Sequence, residues 1–454
     1  EMDLDRVPLR EAGMTPSEIM LSESQERMLL VAKEGRQDRV MEIFKKWDLE
    51  AAIVGRVTAD GHLRVRSGQL VVVDLPAQPL AQEAPVLDRP RKEPAWLAEL
   101  AQLDLAGIEE PSAAGPILRR LLASPNLCSR RWITEQYDTS VGTNTVLGPG
   151  GDAAIIRIKG TSKALALTSD CNPRYCFLDP AQGAALAVAE AALNISCVGG
   201  TPLAVSDCLN FGNPERLEIM WQFQQAVSGL GAACRALETP VVSGNVSFYN
   251  ETEGKGIHPV PTVAMVGLLE EVSRHAGPWA RESGDRVLLL GETRDEMGGS
   301  EYLAFIHGLE RGRPPFLDLR VIRQTGIMVR ESVQAGRVRS AHDLSEGGLA
   351  VALAEACFGP SGLGMKLHLP SKGLRLDTLL FGESSGRVLL TARPSDVSWL
   401  EQRAARAGLP LADLGEVGGD RLHMAVEGTP VVHEPLEELR RVWEEALSLA
   451  LEVN

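Results

Sequence analysis

Hydrophobic and polar positions follow two rhythms along this chain. Between residues 97 and 138 the apolar positions of "WLAELAQLDLAGIEE" and "AGPILRRLLASP" recur at helical spacing. From "GPGGDAAIIRIKGTSKALALTSD" (148–170) onward the rhythm shortens, and "AIIRI" and "ALALTSD" read as strands that run toward an acid. "AQGAALAVAEAALNISCVGG" (181–200) then reads as a small-residue helix, followed by strand "PLAVSDCLNFG", helix "LEIMWQFQQAVSGLGAACRAL" and strand "PVVSGNVSF". Strand, helix, strand, helix, strand predicts an α/β (α+β) domain. Further on, "SAHDLSEGGLAVALAEACF" (340–358) reads as a capped turn entering an apolar helix, with Asp343 and Ser345 as candidate caps.

The same pattern is written twice. "MLSESQERMLLVA" at 20–32 reappears as "LFGESSGRVLLTA" at 380–392, matching at Glu23/Glu383, Ser24/Ser384, Arg27/Arg387, Leu29/Leu389, Leu30/Leu390 and Ala32/Ala392. The offset of 360 persists to Gly55/Gly415, Val57/Val417 and Asp60/Asp420, so residues 1 to about 75 are one copy of a unit repeated at about 364–435. The segment that precedes the second copy has its expected counterpart about 20 residues before Glu1, so the chain is expected to start in the middle of a module. "DLPAQPLAQEAPVLDRPRKEPAW" (74–96), rich in Pro and charge, reads as a linker. The expected order is therefore 1–75, the C-terminal part of a first module; 76–138, linker and helical segment; 139–275, the N-terminal domain of a second module; and 276–454, its C-terminal domain.

Composition adds exclusions. A formal charge of −15 argues against nucleic acid or an anionic membrane as partner, because such binding rests on many Lys and Arg. The apolar runs stop short of the roughly 18–20 residues of a bilayer span, and a cytoplasmic location is expected. Seven cysteines without a C-x-x-C pair read as reduced, mostly buried thiols, and the eight histidines show no metal spacing.

The chemistry gathers where strands end. "TSDCNP" (168–173), "SDCLNFGNPE" (206–215) and "SGNVSFYNE" (243–251) offer carboxylate, amide and hydroxyl oxygens, the hard ligands suited to Mg²⁺ beside a nucleotide. Asp and Asn at strand ends also serve as plain turn formers. Neither a Walker loop nor G-x-G-x-x-G is present. "GESSG" (382–386) satisfies G-x-S-x-G, but its repeat partner "SESQE" keeps neither glycine, which speaks against a hydrolase elbow.

Taken together, "MTPSEIMLSESQERM", "GPGGDAA", "LTSDCNPRYCFLDP", "SDCLNFGNPE", "VVSGNVSFYNET" and "AHDLSEGGLAVALAE" resemble the synthetase subunit of phosphoribosylformylglycinamidine synthase, of the small multi-subunit bacterial type, within the aminoimidazole-ribonucleotide synthetase superfamily. The resemblance spans essentially the whole chain. It implies an internal pseudo-dimer of duplicated modules, the first incomplete here. It also implies an ATP-Mg²⁺ site at their junction and a second, structural nucleotide site related to it by pseudo-symmetry. The implied reaction is ATP-dependent conversion of formylglycinamide ribonucleotide to the amidine in purine biosynthesis. ATP phosphorylates the amide oxygen and ammonia displaces phosphate, the ammonia coming from a separate glutaminase subunit working with a small helper subunit.

By the same resemblance, Glu23, Ser24 and Gln25 bind substrate, as does Ser247. Asp207 contacts the nucleotide, Gly244 lets the backbone approach it, and Asn245 is a magnesium ligand. Asp152, Asp170 and Asp343 resemble metal or nucleotide positions that can belong to the auxiliary site. Glu383, Ser384 and Ser385 mirror the first triplet with Ser in place of Gln, which implies a degenerate site. The family's general base is expected in the upstream half of the first module, and no residue here takes that role. The alternatives left open are a non-catalytic nucleotide-binding scaffold and another ATP-using enzyme of the superfamily.

Overall fold

A computed structural model of the chain describes residues 1–23 and 27–452. It divides into two compact units, Glu1–Asp88 and Arg89–Asn454. The first holds β1 (Met2–Asp3), α1 (Pro16–Leu21), α2 (Gln37–Lys46), β2 (His62–Ser67), β3 (Leu70–Pro76) and α3 (Ala77–Gln82). Helix α1 starts where Thr15 and Glu18 cap each other's backbone N–H groups, with Pro16 in the first turn. β2 pairs parallel to β1 and antiparallel to β3 around fully buried Val65.

The second unit opens with α4 (Trp96–Leu100), α5 (Gly115–Leu122) and α6 (Arg131–Thr134). A six-stranded sheet follows, made of β4 (Thr145–Leu147), β5 (Ala154–Arg157), β6 (Ala164–Asp170), β7 (Thr201–Asn210), β8 (Val241–Ser247) and β11 (Val260–Leu269) in the order β4-β5-β6-β11-β7-β8. The small ribbon of β9 (Glu251–Thr252) and β10 (Lys255–Gly256) leads from β8 back into β11. β11 inserts between β6 and β7, antiparallel to both, and only β7 and β8 pair in parallel. The sheet is therefore mixed, the α+β form of the expectation.

One face of this sheet is covered by helices. α7 (Pro173–Leu178) and α8 (Pro180–Cys197) each begin with proline in the first turn and a side-chain cap, from Asn172 and Asp179 respectively. α8 is built almost wholly of small apolar residues, so α9 (Leu217–Leu237) packs directly on its backbone: a Cβ at Gly229 would overlap the Ala181 peptide. Gly229→Ala is thus expected to lower stability by about 1–3 kcal/mol, seen as a lowered urea midpoint. Leu167, Leu203, Val242 and Val246 of this sheet are exposed.

The C-terminal sheet comprises β12 (Arg286–Leu290), β13 (Ser340–Asp343), β14 (Met365–Leu369), β15 (Val388–Ala392), β16 (Leu411–Val417), β17 (Arg421–Val426) and β18 (Thr429–Pro435), in the order β13-β15-β12-β16-β14-β17-β18. α10 (Leu319–Gln334) and α13 (Val397–Ala407) cover one face at the β13-β15-β12 end. α11 (Gly348–Cys357), α12 (Leu376–Phe381), α14 (Leu436–Glu452) and the earlier α5 cover the other. Val287 and Leu289 face one layer, Leu288 and Leu290 the other, which explains the unbroken apolar run of β12. Leu118, Leu121 and Leu122 of α5 are fully buried in this core, so that stretch of 76–138 packs as part of the C-terminal domain.

The duplication is visible in the elements. α12 lies 360 residues after α1, α13 begins 360 after α2, and β17 and β18 follow β2 and β3 at an offset of 359. The match fails at β15, whose five residues are all buried between β12 and β13. The equivalent first-copy residues form no strand, and Leu29 and Val31 are more than three-quarters exposed. One sequence expectation is corrected here: α11 is capped by Gly347, in a left-handed conformation (φ 81°), and not by Asp343 or Ser345. Asp343 instead ends β13, and the Gly347 N–H is satisfied by the distant Glu383 carboxylate at 2.8 Å. No helix of the described residues is long and apolar enough to cross a membrane.

Candidate functional site

Two groups of polar residues form within the second unit. The first is a buried cluster of acids. Asp170 stands at the end of β6, Glu190 is the only charged residue of α8, Asp343 ends β13, and Glu346 and Glu383 come from loops. Tyr175, Glu190, Asp343, Glu346, Glu383 and Ser385 line a narrow cleft among them. Glu383 accepts the backbone N–H groups of Glu301 and Gly347, each at 2.8 Å, and the Tyr175 hydroxyl. Asn172, while capping α7, donates to Glu346 at 2.8 Å. Glu301, at the start of a π-helical turn, is held by Ser124, Asn126 and Arg174.

Packing acids out of water makes them hold their protons. Burial first, then the Glu346 charge, pushes Asp170 well above the usual carboxylate range. Glu190 goes the same way through burial, Asp170 and Glu346, and Asp343 through burial, Glu190 and Asp152. Burial and Glu346 raise Glu383 to about 7, against the hydrogen bonds it accepts. His342 bonds Asp152 at 2.7 Å and Glu355 at 3.3 Å; burial works against its charge, but the two carboxylates outweigh it and hold it well above the usual imidazole range. Asp152 Oδ2 and Asp343 Oδ1 are buried without a hydrogen-bond partner.

The second group lies on β7 and β8. Asp207 sits opposite Gly244, Cys208 opposite Asn245 and Asn210 opposite Ser247. A Cβ at Gly244 would run into the Asp207 carboxylate, so only glycine leaves that acid in place with the strand backbone open beside it. Burial raises the Asp207 pKa. β8 is the sheet's edge and is exposed over most of its length. Ser247 is held at its end by Asn250, which donates to the Ser247 carbonyl at 2.9 Å. Val263 of β11 faces Asp170 on one side and Asp207 on the other. These two acids are thus two strands apart, about 10 Å, at the carboxyl ends of parallel-running β6 and β7.

Of the residues expected from sequence, Asp152, Asp170 and Asp343 therefore meet in the buried cluster, whereas on the adjacent strands β7 and β8 Asp207 meets Gly244 on one face and Asn245 and Ser247 share the other. Glu23 is an exposed residue of the first unit, just after α1, while Ser24 and Gln25 lie outside the described residues. Glu190, Glu346, Tyr175 and His342 escaped the sequence reading. A lone acid in an otherwise apolar helix was the available signal for Glu190. Ser384 accepts the Arg294 N–H at 3.0 Å and Ser385 donates to the Phe316 carbonyl at 2.7 Å. "GESSG" joins helix α12 to strand β15, the reverse of a strand–elbow–helix nucleophile.

The described residues contain no ready cage of three or more His, Cys, Asp or Glu side chains for a metal. The donor set nevertheless fits Mg²⁺, which keeps several waters and is commonly bound by one or two carboxylates together with substrate phosphates. Orphaned oxygens on Asp152 and Asp343, amid acids whose mutual repulsion nothing fully neutralises, are what such an ion relieves.

Comparison with known proteins gives a consistent picture. A model of the N-terminal domain of AIR synthase related proteins matches residues 150–269, and one of the C-terminal domain matches residues 1–68 and again 282–426. The phosphoribosylformylglycinamidine synthase subunit PurL of Moorella thermoacetica is 51% identical over 451 residues, which is 99% of this chain and 61% of that protein. The same subunit of Alkaliphilus metalliredigens is 49% identical over 453 residues, again 61% of its length. The chain thus spans about three-fifths of the curated relatives it matches. Among solved structures, Thermotoga maritima PurL complexed with ATP superposes with a TM-score of 0.62 at 26% identity, over 92% of this chain and 59% of that one. The complex of the same protein with FGAR gives 0.63 at 26% identity, over 92% and 57%.

Proposed function

The chain belongs to the family of AIR synthase related proteins, and on that premise we propose that it carries one side of the active site of an ATP-dependent amidine-forming ligase acting on formylglycinamide ribonucleotide. The observation that carries this reading is the strand pair β7–β8, which sets Asp207 beside Gly244 on one face and carries Asn245 and Ser247 on the other, next to an acid-rich cleft at the same end of the sheet. The names of the relatives and the ATP and FGAR complexes of the T. maritima protein point the same way.

An amide oxygen is a poor leaving group until it is phosphorylated, and phosphoryl transfer needs positioning and charge neutralisation more than a protein nucleophile. In this reading Asp207 orients the nucleotide, and the bare backbone at Gly244 lets its phosphates approach. Asn245 offers its carbonyl oxygen to Mg²⁺, and Ser247 contacts the ribonucleotide; the family resemblance assigns substrate contacts to Glu23, Ser24 and Gln25 as well. The metal, when bound, offsets phosphate charge as it develops. Ammonia then displaces phosphate from the activated carbon, supplied by a separate glutaminase that acts with a small helper subunit in the cytoplasm. No cysteine here has an activated-nucleophile setting: a hydrogen bond with Cys171 and then burial push Cys176 upward, and burial does the same to Cys197 and Cys357, away from the thiolate.

A second role is favoured by the buried acids. Their cleft lies in the second module, lined in part by Glu383 and Ser385 of the degenerate repeat triplet, and it suits a nucleotide–Mg²⁺ held for structure, the auxiliary site expected from the family resemblance.

The test is an ammonia-fed assay of ADP and amidine formation by the complete family-length chain. Asn245→Leu is expected to cut turnover by at least about tenfold while leaving the fold intact, the loss expected when a metal-positioning ligand goes. Unchanged turnover removes Asn245 from the site, and no amidine from the parent chain overturns the reading.

A further inference from the structure

On the C-terminal sheet, the end formed by β14, β17 and β18 is packed on one face only. Met365, Leu367, Leu422, Met424 and Val432 point into the core, and the opposite face is polar. There His423 of β17 and His433 of β18 are direct partners in the antiparallel ladder. Their Nδ1 atoms are 3.1 Å apart and the rings meet edge to face, centroids 5.2 Å apart. Nothing in the proposed ligase chemistry uses this pair. Sequence spacing hid it, because the chain between the two histidines, ten positions apart, is a hairpin and the ladder, not the spacing, brings them together.

We propose that His423 and His433 form a two-imidazole site for a borderline first-row divalent cation, of the Cu²⁺, Ni²⁺ and Zn²⁺ class, completed by water. The geometry is that of a chelate. Two nitrogens 3.1 Å apart, each about 2.0–2.1 Å from a common ion, subtend about 100° there, between the square-planar and tetrahedral angles. The present Nδ1···Nδ1 hydrogen bond requires one ring to carry a proton on that nitrogen. A metal takes the place of that proton after a small rotation of the rings about their Cβ–Cγ bonds. Both side chains reach solvent, so no burial of the ion is required.

Other charged groups stand around the pair. Lys366 lies beside His423 on β14 and His368 two residues further along the same face. Arg421 precedes His423 by two positions on β17, and Glu416 of β16 stands across from Lys366. Lys366 and Arg421 disfavour any cation and so set the site's modest strength.

The test uses the tag-free chain titrated with CuCl₂, NiCl₂ and ZnCl₂ at pH 7.5 by calorimetry, with electron paramagnetic resonance of the Cu²⁺ form. One equivalent is expected to bind with Cu²⁺ tightest, as the first-row order requires, and with two-nitrogen hyperfine structure. His423→Ala and His433→Ala should each lower the affinity at least about tenfold, whereas His275→Ala should leave it unchanged. Both positions are solvent-accessible, so unchanged melting of the metal-free variants is the check on folding. Equal affinity in the His423→Ala/His433→Ala double variant, or no saturable Cu²⁺ binding, overturns the proposal.

Discussion

Gly244→Val is expected to abolish ATP-dependent amidine formation by the complete chain while its melting temperature stays essentially unchanged. The backbone at 244 is ordinary β-strand in an exposed edge strand, where a β-branched residue is well accommodated. The obstacle is the Asp207 carboxylate, which lies where any Cβ at 244 would go. The side chain can swing aside at little cost to folding, but only by leaving the position from which, in the proposed function, it meets the nucleotide. The added bulk also keeps phosphates off the β8 backbone. A displacement of about 1 Å at a reacting centre costs on the order of 100-fold in rate, and here two contacts move together. The check is ADP release under saturating ammonia, with circular dichroism on the same samples. Retained turnover in Gly244→Val would show that the β7–β8 pair is not where the nucleotide sits, and Asp207→Asn would then be silent as well.

Much of this arrangement was legible in the sequence, for reasons that differ from place to place. The strands β6, β7 and β8 were found from their β-rich runs, and their candidate chemistry because each ends in polar residues followed by Gly, Asn or Pro, and strand ends are where such folds gather ligands. The duplication was found because a constant offset survives in residues that cap helices and fill the core. What stayed hidden depends on contacts between distant segments. The insertion of β11 between β6 and β7 cannot be read from local periodicity, since a strand pattern does not name its neighbours. Gly347 as the cap of α11 was missed because its N–H partner, Glu383, is 36 residues away. The buried acids escaped for the same reason: Glu190 on α8 and Glu346 in a loop become a cluster only when α8 is laid beside β13. Residues 28–32 show the converse, a sequence pattern shared with β15 that forms no strand in the first unit, where no counterpart of the flanking strands β12 and β13 is described.

The protein is also expected to lose stability as pH rises from about 4.5 to about 7, and Glu190→Gln should flatten that loss. A carboxyl whose folded-state pKa lies above its unfolded value binds its proton more tightly in the native state. Its stabilising contribution is complete below the unfolded pKa and is lost as pH rises through the folded one. Glu383, raised to about 7, loses its contribution within this window, and its own shift corresponds to about 3 kcal/mol. Asp170, Glu190 and Asp343 are raised by the same burial and mutual repulsion and act in the same sense. His342, also raised by its carboxylate partners, acts in the same sense, its contribution fading only as pH rises beyond the ordinary imidazole range. Opposing groups act elsewhere: Glu301, depressed by Ser124, Asn126 and Arg174 against its burial, loses its contribution only as pH falls below the normal carboxylate range. Urea midpoints measured every half unit should therefore fall from pH 5 to pH 7.5. Glu190→Gln removes one charge from the centre of the repulsion, so at pH 7.5 it should be more stable than the parent. The same substitution should weaken the rise in melting temperature that Mg²⁺ with ATP gives the parent, because the cluster then offers the cation one carboxylate fewer. A parent midpoint that is flat or rises across this range, together with a destabilised Glu190→Gln, would show that the acids are neutralised by groups within the fold and hold no cation.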